Sequence, residues 1–181
     1  MVAGAVDGLY GYLDWLSKQI IPDTAESTSL DRWASVWGVS RVAASFAAGQ
    51  VQFTGTTGAV VPAGTLVQRA DGVEFATSVD VTLVAGAALA TVTAVTGGVA
   101  GNTAATTSLP LVSPISGVNG QAVVQAGGLT LGLDAEGDDS LRARLLLRIQ
   151  QPPQGGAASD YSAWALQVAG VTRAWVYPQW L

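Results

Sequence analysis

From Val81 through Gly132 the chain carries no Asp, Glu, Lys or Arg; the run is dominated by Val, Ala, Thr, Leu and Gly. Such composition favours short strands separated by glycine turns. Candidate strands are Thr65 to Arg69, Glu74 to Ser78, Val81 to Val84 and Ala90 to Thr96, with breaks at Pro62-Ala-Gly64, Asp71-Gly72, Gly86 and Gly97-Gly98. Upstream, Val42, Ala44, Phe46 and Ala48 alternate with smaller or polar neighbours, and Val51 and Phe53 repeat the pattern before Gly55. Many short strands with glycine turns predict a sandwich or barrel. Its missing charge has two readings, a β-domain with a neutral surface or an interface inside an assembly, where charge is depleted.

Helical periodicity flanks this centre. Val2, Val6, Leu9, Tyr10, Leu13, Leu16 and Ile20 recur at three- and four-residue spacings and Pro22 stops the run, which predicts an amphipathic helix. A second helix is expected after Ser27 to Ser29, which offer caps; Leu30, Trp33 and Trp37 share a face and Gly38 stands where a left-handed terminator belongs. The two form a helical hairpin. Helices this short are marginal in water, so the surface bearing Trp15, Trp33 and Trp37 needs a partner. Beyond the strands, Leu141, Leu145 and Ile149 fall on one face of a third helix, with Asp138 and Asp139 as caps and Pro152-Pro153 as its stop. A short fourth helix carries Tyr161, Trp164, Ala165 and Val168, capped by Ser159 or Asp160 and ended by Gly170; Val171, Ala174 and Val176 predict a strand. An apolar end at Trp180-Leu181 reads as a sheet whose partners lie further on.

With 181 residues, no His and no Cys, the chain has no imidazole or thiolate for metal binding or nucleophilic catalysis. Eight basic against thirteen acidic residues give a net charge of -5, which opposes a grip on nucleic acid phosphates. No window is apolar for long enough to cross a bilayer, and the N-terminus lacks a basic signal-peptide region.

Asp134, Glu136, Asp138 and Asp139 form the densest acidic group, yet counting an EF-hand loop from Asp134 puts Asp139 where Gly is required and Leu145 where Glu is required. Helix capping explains these carboxylates better than catalysis. Gly97 to Asn102 resembles a phosphate loop only superficially, because no helix pattern follows it and Lys18 is the sole lysine. Arg142, Arg144 and Arg148 make a small basic face suited to pairing with nearby carboxylates. Trp164, Trp175 and Trp180 offer a stacking platform for sugars or, more ordinarily, buried surface. No catalytic, cofactor or metal site is expected.

Taken in order, Tyr10 to Trp15, Pro22 to Glu26, Leu30 to Trp33, Trp37 to Val39, Phe53 to Gly55, Val61 to Thr65, Phe75 to Thr77, Gly101-Asn102, Ser113-Pro114, Gly117-Val118, Asp134 to Glu136, Leu141 to Arg144, Gly155-Gly156, Asp160-Tyr161 and Gly170-Val171 resemble the baseplate J-like family of contractile phage tails and Mu-like prophages. Such members commonly extend further at both ends, so the resemblance implies a piece of a wedge protein. It also implies a non-enzymatic subunit of the virion tail baseplate, made in the host bacterial cytoplasm, which assembles around the hub and helps transmit the contraction trigger. Its partners would be other baseplate subunits and a second copy of itself, with no nucleic acid, membrane span or small-molecule substrate.

The expected fold is α+β: a helical pair over residues 1–40, a β-rich domain over 41–128, and a partial α/β segment of two helices and a strand over 129–181. Trp15, Trp33 and Trp37 are the candidate interface anchors. A carbohydrate-binding or adhesive β-domain of a tail tip is the competing reading.

Overall fold

A computed structural model describes residues 2–152, 154–166, 171 and 173–177. The chain forms two compact units, Val42–Glu136 and a second made of Met1–Arg41 together with Gly137–Leu181. The architecture is an α+β mix with a nearly closed antiparallel sheet, as the alternation and the glycine turns predict.

The helical unit holds α1 (Val2–Gln19), α2 (Ser27–Val36), α3 (Asp138–Gln150) and α4 (Ala158–Leu166). Thr24 ends α1 by donating its hydroxyl to the Lys18 carbonyl at 2.8 Å, just past Pro22. Gly38 ends α2 as its spacing predicts: at φ +67° it donates to the Ser35 carbonyl, and Val39 donates to the Ala34 carbonyl at 2.8 Å. That paired closure satisfies two orphan carbonyls and brings Val39 onto the core. The core is Ala25, Leu30, Ala34, Leu141 and Leu145, with Trp33, Val39 and Ile149 packed against it. Gln151 leaves the helical region at φ -126°, ψ 72° because Pro152 follows, and α3 stops there.

Several capping expectations are corrected. Glu26 and Gly137 occupy the N-cap positions of α2 and α3, and neither makes a side-chain cap bond. Ser27 instead bonds Asp138, and both Asp138 and Asp139 lie inside the first turn of α3, where negative charge complements the helix dipole. Ser159 is likewise inside α4, and Asp160 works from the third helical position back to the Ala157 N–H, half of a reciprocal capping arrangement. Residues 171 and 173–177 form no strand, so the strand expected at Val171, Ala174 and Val176 is absent there. Val168, Gly170 and Trp180 lie outside the described residues.

The β unit contains β1 (Ala48–Gly55), β2 (Val60–Val61), β3 (Leu66–Gln68), β4 (Glu74–Thr77), β5 (Val81–Thr82), β6 (Ala87–Ala94), β7 (Ser108–Pro110) and β8 (Val118–Thr130). The main sheet runs β3-β4-β6-β1-β8-β7, antiparallel throughout, and β2 pairs with β5 in a separate ribbon. Its edges meet where Val67 bridges Leu111 and Val112 donates to the Leu66 carbonyl at 3.0 Å. Closure of this kind removes exposed edges. Val51, Phe53, Phe75, Val92, Leu109 and Val124 fill the interior, while Gln50, Gln52 and Thr54 alternate outward along β1.

Two features depart from the sequence expectation. The sets Val42-Ala44-Phe46-Ala48 and Val51-Phe53 have opposite parity, so a single strand cannot bury both. Burial of Phe53 decides the phase: Ala47 points in, Phe46 is 50% exposed, and the regular strand starts at Ala48. The longest strand, β8, runs where no strand was expected. It pairs with β1 through a register jump between Val124 opposite Val51 and Leu129 opposite Gly49, which loops out the segment containing Gly127 and Gly128.

Candidate interaction surface of the helical unit

α1 sets the chemistry of this surface. Leu9, Tyr10, Tyr12, Leu13, Trp15 and Leu16 all remain exposed. At ~100° per residue these side chains cover an arc of roughly 200°, about twice the stripe that packing on a single flat core requires. Asp7, Asp14 and Lys18 share the remaining face, and Lys18 pairs with Asp14 at 2.8 Å along the surface.

The three candidate anchors occupy different environments. Trp15 is 42% exposed; its ring stacks on Tyr12 with centroids 5.7 Å apart and its Nε1–H donates to Glu26 Oε2 at 3.0 Å. That bond fixes the indole edge and leaves the ring outward. Trp33 is half-buried against the Leu30, Leu141 and Leu145 core. Trp37, one turn on, is 37% exposed at the end of α2. Trp33 and Trp37 therefore follow one another along α2, while the ring partner of Trp15 is Tyr12. The breadth of the exposed α1 surface goes beyond the tryptophans; its signal in the sequence is the presence of Tyr12 and Trp15 outside the expected stripe.

Polar ties hold this unit together. Arg41 bridges Asp31 at 2.8 Å and Asp138 at 2.7 Å. The Ser27 hydroxyl, then Arg41, hold the Asp138 carboxyl below the usual carboxylate range. Arg142 pairs with Asp139 at 2.9 Å and donates to the Ala25 carbonyl at 2.8 Å, and Arg144 donates to the Ser40 carbonyl. Two arginines of the expected basic face thus serve internal bonds. Asp160 is buried and accepts N–H groups from Gly156 at 2.7 Å, Ala157 at 3.0 Å and Gln154 at 3.0 Å; the Gly156 bond leads in holding its carboxyl low.

The β unit engages its own carboxylates in the same way. Asp134 accepts the Val99 N–H at 2.9 Å and Glu136 accepts the Val42 N–H at 3.1 Å. The loop at Gly97 to Asn102 is a short 3₁₀ turn, closed by reciprocal 2.9 Å bonds between the Asn102 amide and the Gly132 backbone. Among the described residues no group of three or more Asp and Glu side chains is placed to hold a metal ion, and no helix is long and apolar enough to cross a membrane. Trp164 meets Tyr161 edge-on at 5.2 Å and 77°.

Comparison with known proteins places the sheet and the C-terminal segment. The Baseplate J-like protein barrel domain matches residues 50–131, the span of the closed sheet, and the Baseplate J-like central domain matches 153–181. The chain belongs to the Baseplate J-like family. It is 40% identical over 98% of its length to Baseplate protein gp47 of Escherichia phage Mu, covering 49% of that protein. It is 41% identical over 96% of its length to the Mu-like prophage FluMu protein gp47 of Haemophilus influenzae, covering 48% of it. Phage-like element PBSX protein XkdT of Bacillus subtilis is 32% identical over 94% of this chain, which covers 45% of that relative. The family member described here thus spans about half the length of these relatives.

Proposed function

We propose that the chain is a non-enzymatic structural part of a contractile-tail baseplate wedge, residing in the virion tail after synthesis in the host cytoplasm. It assembles with other baseplate subunits, around the hub, and takes part in transmitting the contraction trigger. The baseplate name carried by the Mu relative supports the setting. The observation that carries the mechanism is the wide apolar surface of α1, whose side chains from Leu9 to Leu16 are exposed among the described residues.

In this reading the closed sheet is a rigid body and α1 is the attachment. Trp15 and Trp37 anchor it to a second copy or a neighbouring tail protein, and Trp33 supports them from the core side. Burying an exposed Trp or Leu contributes about 1.5–3 kcal/mol each, so a few such groups suffice for a stable interface. Reconstituted wedge subcomplexes test this. Trp15→Ala and Trp37→Ala are expected to abolish incorporation while leaving the unfolding midpoint of the free chain nearly unchanged. An intact subcomplex combined with a destabilised free chain would make these residues core and refute the anchoring role.

A further inference from the structure

Glu26 stands at the N-cap position of α2 in extended backbone, φ -79° and ψ 165°, yet its side chain makes no capping bond. Ser, Thr, Asp or Asn at such a place bonds the free N–H groups of the first turn. The Glu26 carboxylate reaches back to α1 instead, where its Oε2 accepts the Trp15 Nε1–H at 3.0 Å. Its own backbone N–H donates to Gln19 Oε1 at 2.9 Å. Gln19 is 8% exposed, and its Nε2 is buried with no acceptor among the described residues. Burying an amide half-satisfied costs free energy, so stability alone does not account for this placement. On the other side of Trp15 the Tyr12 ring stacks at 5.7 Å with the planes 29° apart. The indole is thus held at its edge by Glu26 and at a face by Tyr12.

We infer that Glu26 is the positioning residue of the Trp15 anchor: it holds the indole in the orientation a partner meets and satisfies the ring's one polar group from within the chain. This role rests on the reading of Trp15 as an anchor of the wedge, and it gives that anchor its chemistry. An indole already held loses less rotamer freedom on docking than a free one. With its N–H satisfied, the ring acts as an apolar knob, so the partner surface that receives it is an apolar pocket that supplies no acceptor to the indole nitrogen.

The test compares Glu26→Ala, Glu26→Gln and Trp15→Ala in the ¹⁵N-labelled free chain and in the reconstituted wedge subcomplex. In the free chain the Trp15 indole resonance, assigned by its loss in Trp15→Ala, should shift in Glu26→Ala and its N–H should exchange faster with water. The urea midpoint should stay nearly unchanged, because Glu26 is exposed and its side chain caps nothing. In the subcomplex Glu26→Ala should bind the neighbouring subunits roughly three- to tenfold more weakly. Glu26→Gln keeps an acceptor oxygen and should restore most of that affinity together with the protection of the indole N–H. A role confined to the helix dipole would leave the indole resonance in place and make the two substitutions equivalent. The proposal is overturned if that resonance is unmoved in Glu26→Ala, if Glu26→Ala assembles with parental affinity, or if Glu26→Gln is as weak as Glu26→Ala. Any of these together with loss of assembly in Trp15→Ala rejects the positioning role alone; parental assembly of Trp15→Ala would remove the anchoring role and this one with it.

Discussion

Arg69 is the residue on which the β unit's loops converge. Its Nε and Nη2 grip Asp71 at 2.8 and 2.7 Å, Nη1 donates to the Asn102 carbonyl and Thr103 Oγ1, and Nη2 also reaches the Ala100 carbonyl. The β3–β4 turn is thereby tied to the 3₁₀ turn. Arg69→Ala should lower stability by about 2–3 kcal/mol in urea unfolding, because it strands acceptors on both turns. Arg69→Lys should recover only part of this, since an ammonium cannot reproduce the forked geometry. Chiefly through the Arg69 hydrogen bond, the Asp71 carboxyl is held at about 2. A carboxylate with a lowered folded pKa contributes stability that is full above its unfolded value of about 4 and is lost as pH falls through the folded one. Unfolding followed from pH 5 down to about 2 should show this loss in the parent and a flatter response in Asp71→Asn. The Asp71-Gly72 turn is visible in the sequence, but the role of Arg69 in tying two loops is not, because its partners other than Asp71 lie some thirty positions away.

At the scale of elements, the pairing of β1 with β8 demands glycine. A Cβ on Gly49 would stand 2.4 Å from the Gly128 carbonyl oxygen, and one on Gly55 would stand 2.2 Å from the Gly117 carbonyl oxygen. Gly49→Ala should force the two central strands apart and cost about 2–3 kcal/mol, read as a lowered urea midpoint, while Gly58→Ala, with open space but φ +90°, tests backbone strain alone. This pair of strands also marks how far the sequence is legible. The end of α2 is readable because Gly38 and Val39 act locally on Ser35 and Ala34. β8 is hidden because Gly120, Gly127 and Gly128 break its alternation and its register is set by a strand some seventy residues earlier. The phase error at Phe46 has the same origin: two local patterns conflict, and burial of Phe53 across the sheet decides between them. The carboxylates from Asp134 to Asp139 show the converse, since their proximity in sequence implies one cluster whereas each serves a separate bond.

For the whole molecule, among the described residues, the sheet buries a continuous apolar core whereas α1 of the helical unit leaves most of its apolar side chains exposed. Phe53 and Phe75 are fully buried within the barrel, and either changed to Ala should cost about 3–5 kcal/mol by leaving a cavity, whatever the chain's partners. The apolar side chains of α1 are instead exposed, and in the proposed reading they are what a neighbouring baseplate subunit covers. The sequence singles out Trp15 and Trp37 because aromatic residues on short helices need cover, and their anchoring is the proposal made above; it does not single out Gln19, since nothing in its neighbourhood signals a buried amide without an acceptor. The central claim is that this chain works as a baseplate component, and it is tested most directly by quantitative mass spectrometry of purified tail particles. The account predicts peptides from both the helical and the β unit at the abundance of known baseplate subunits; intact, contraction-competent particles without them would contradict it.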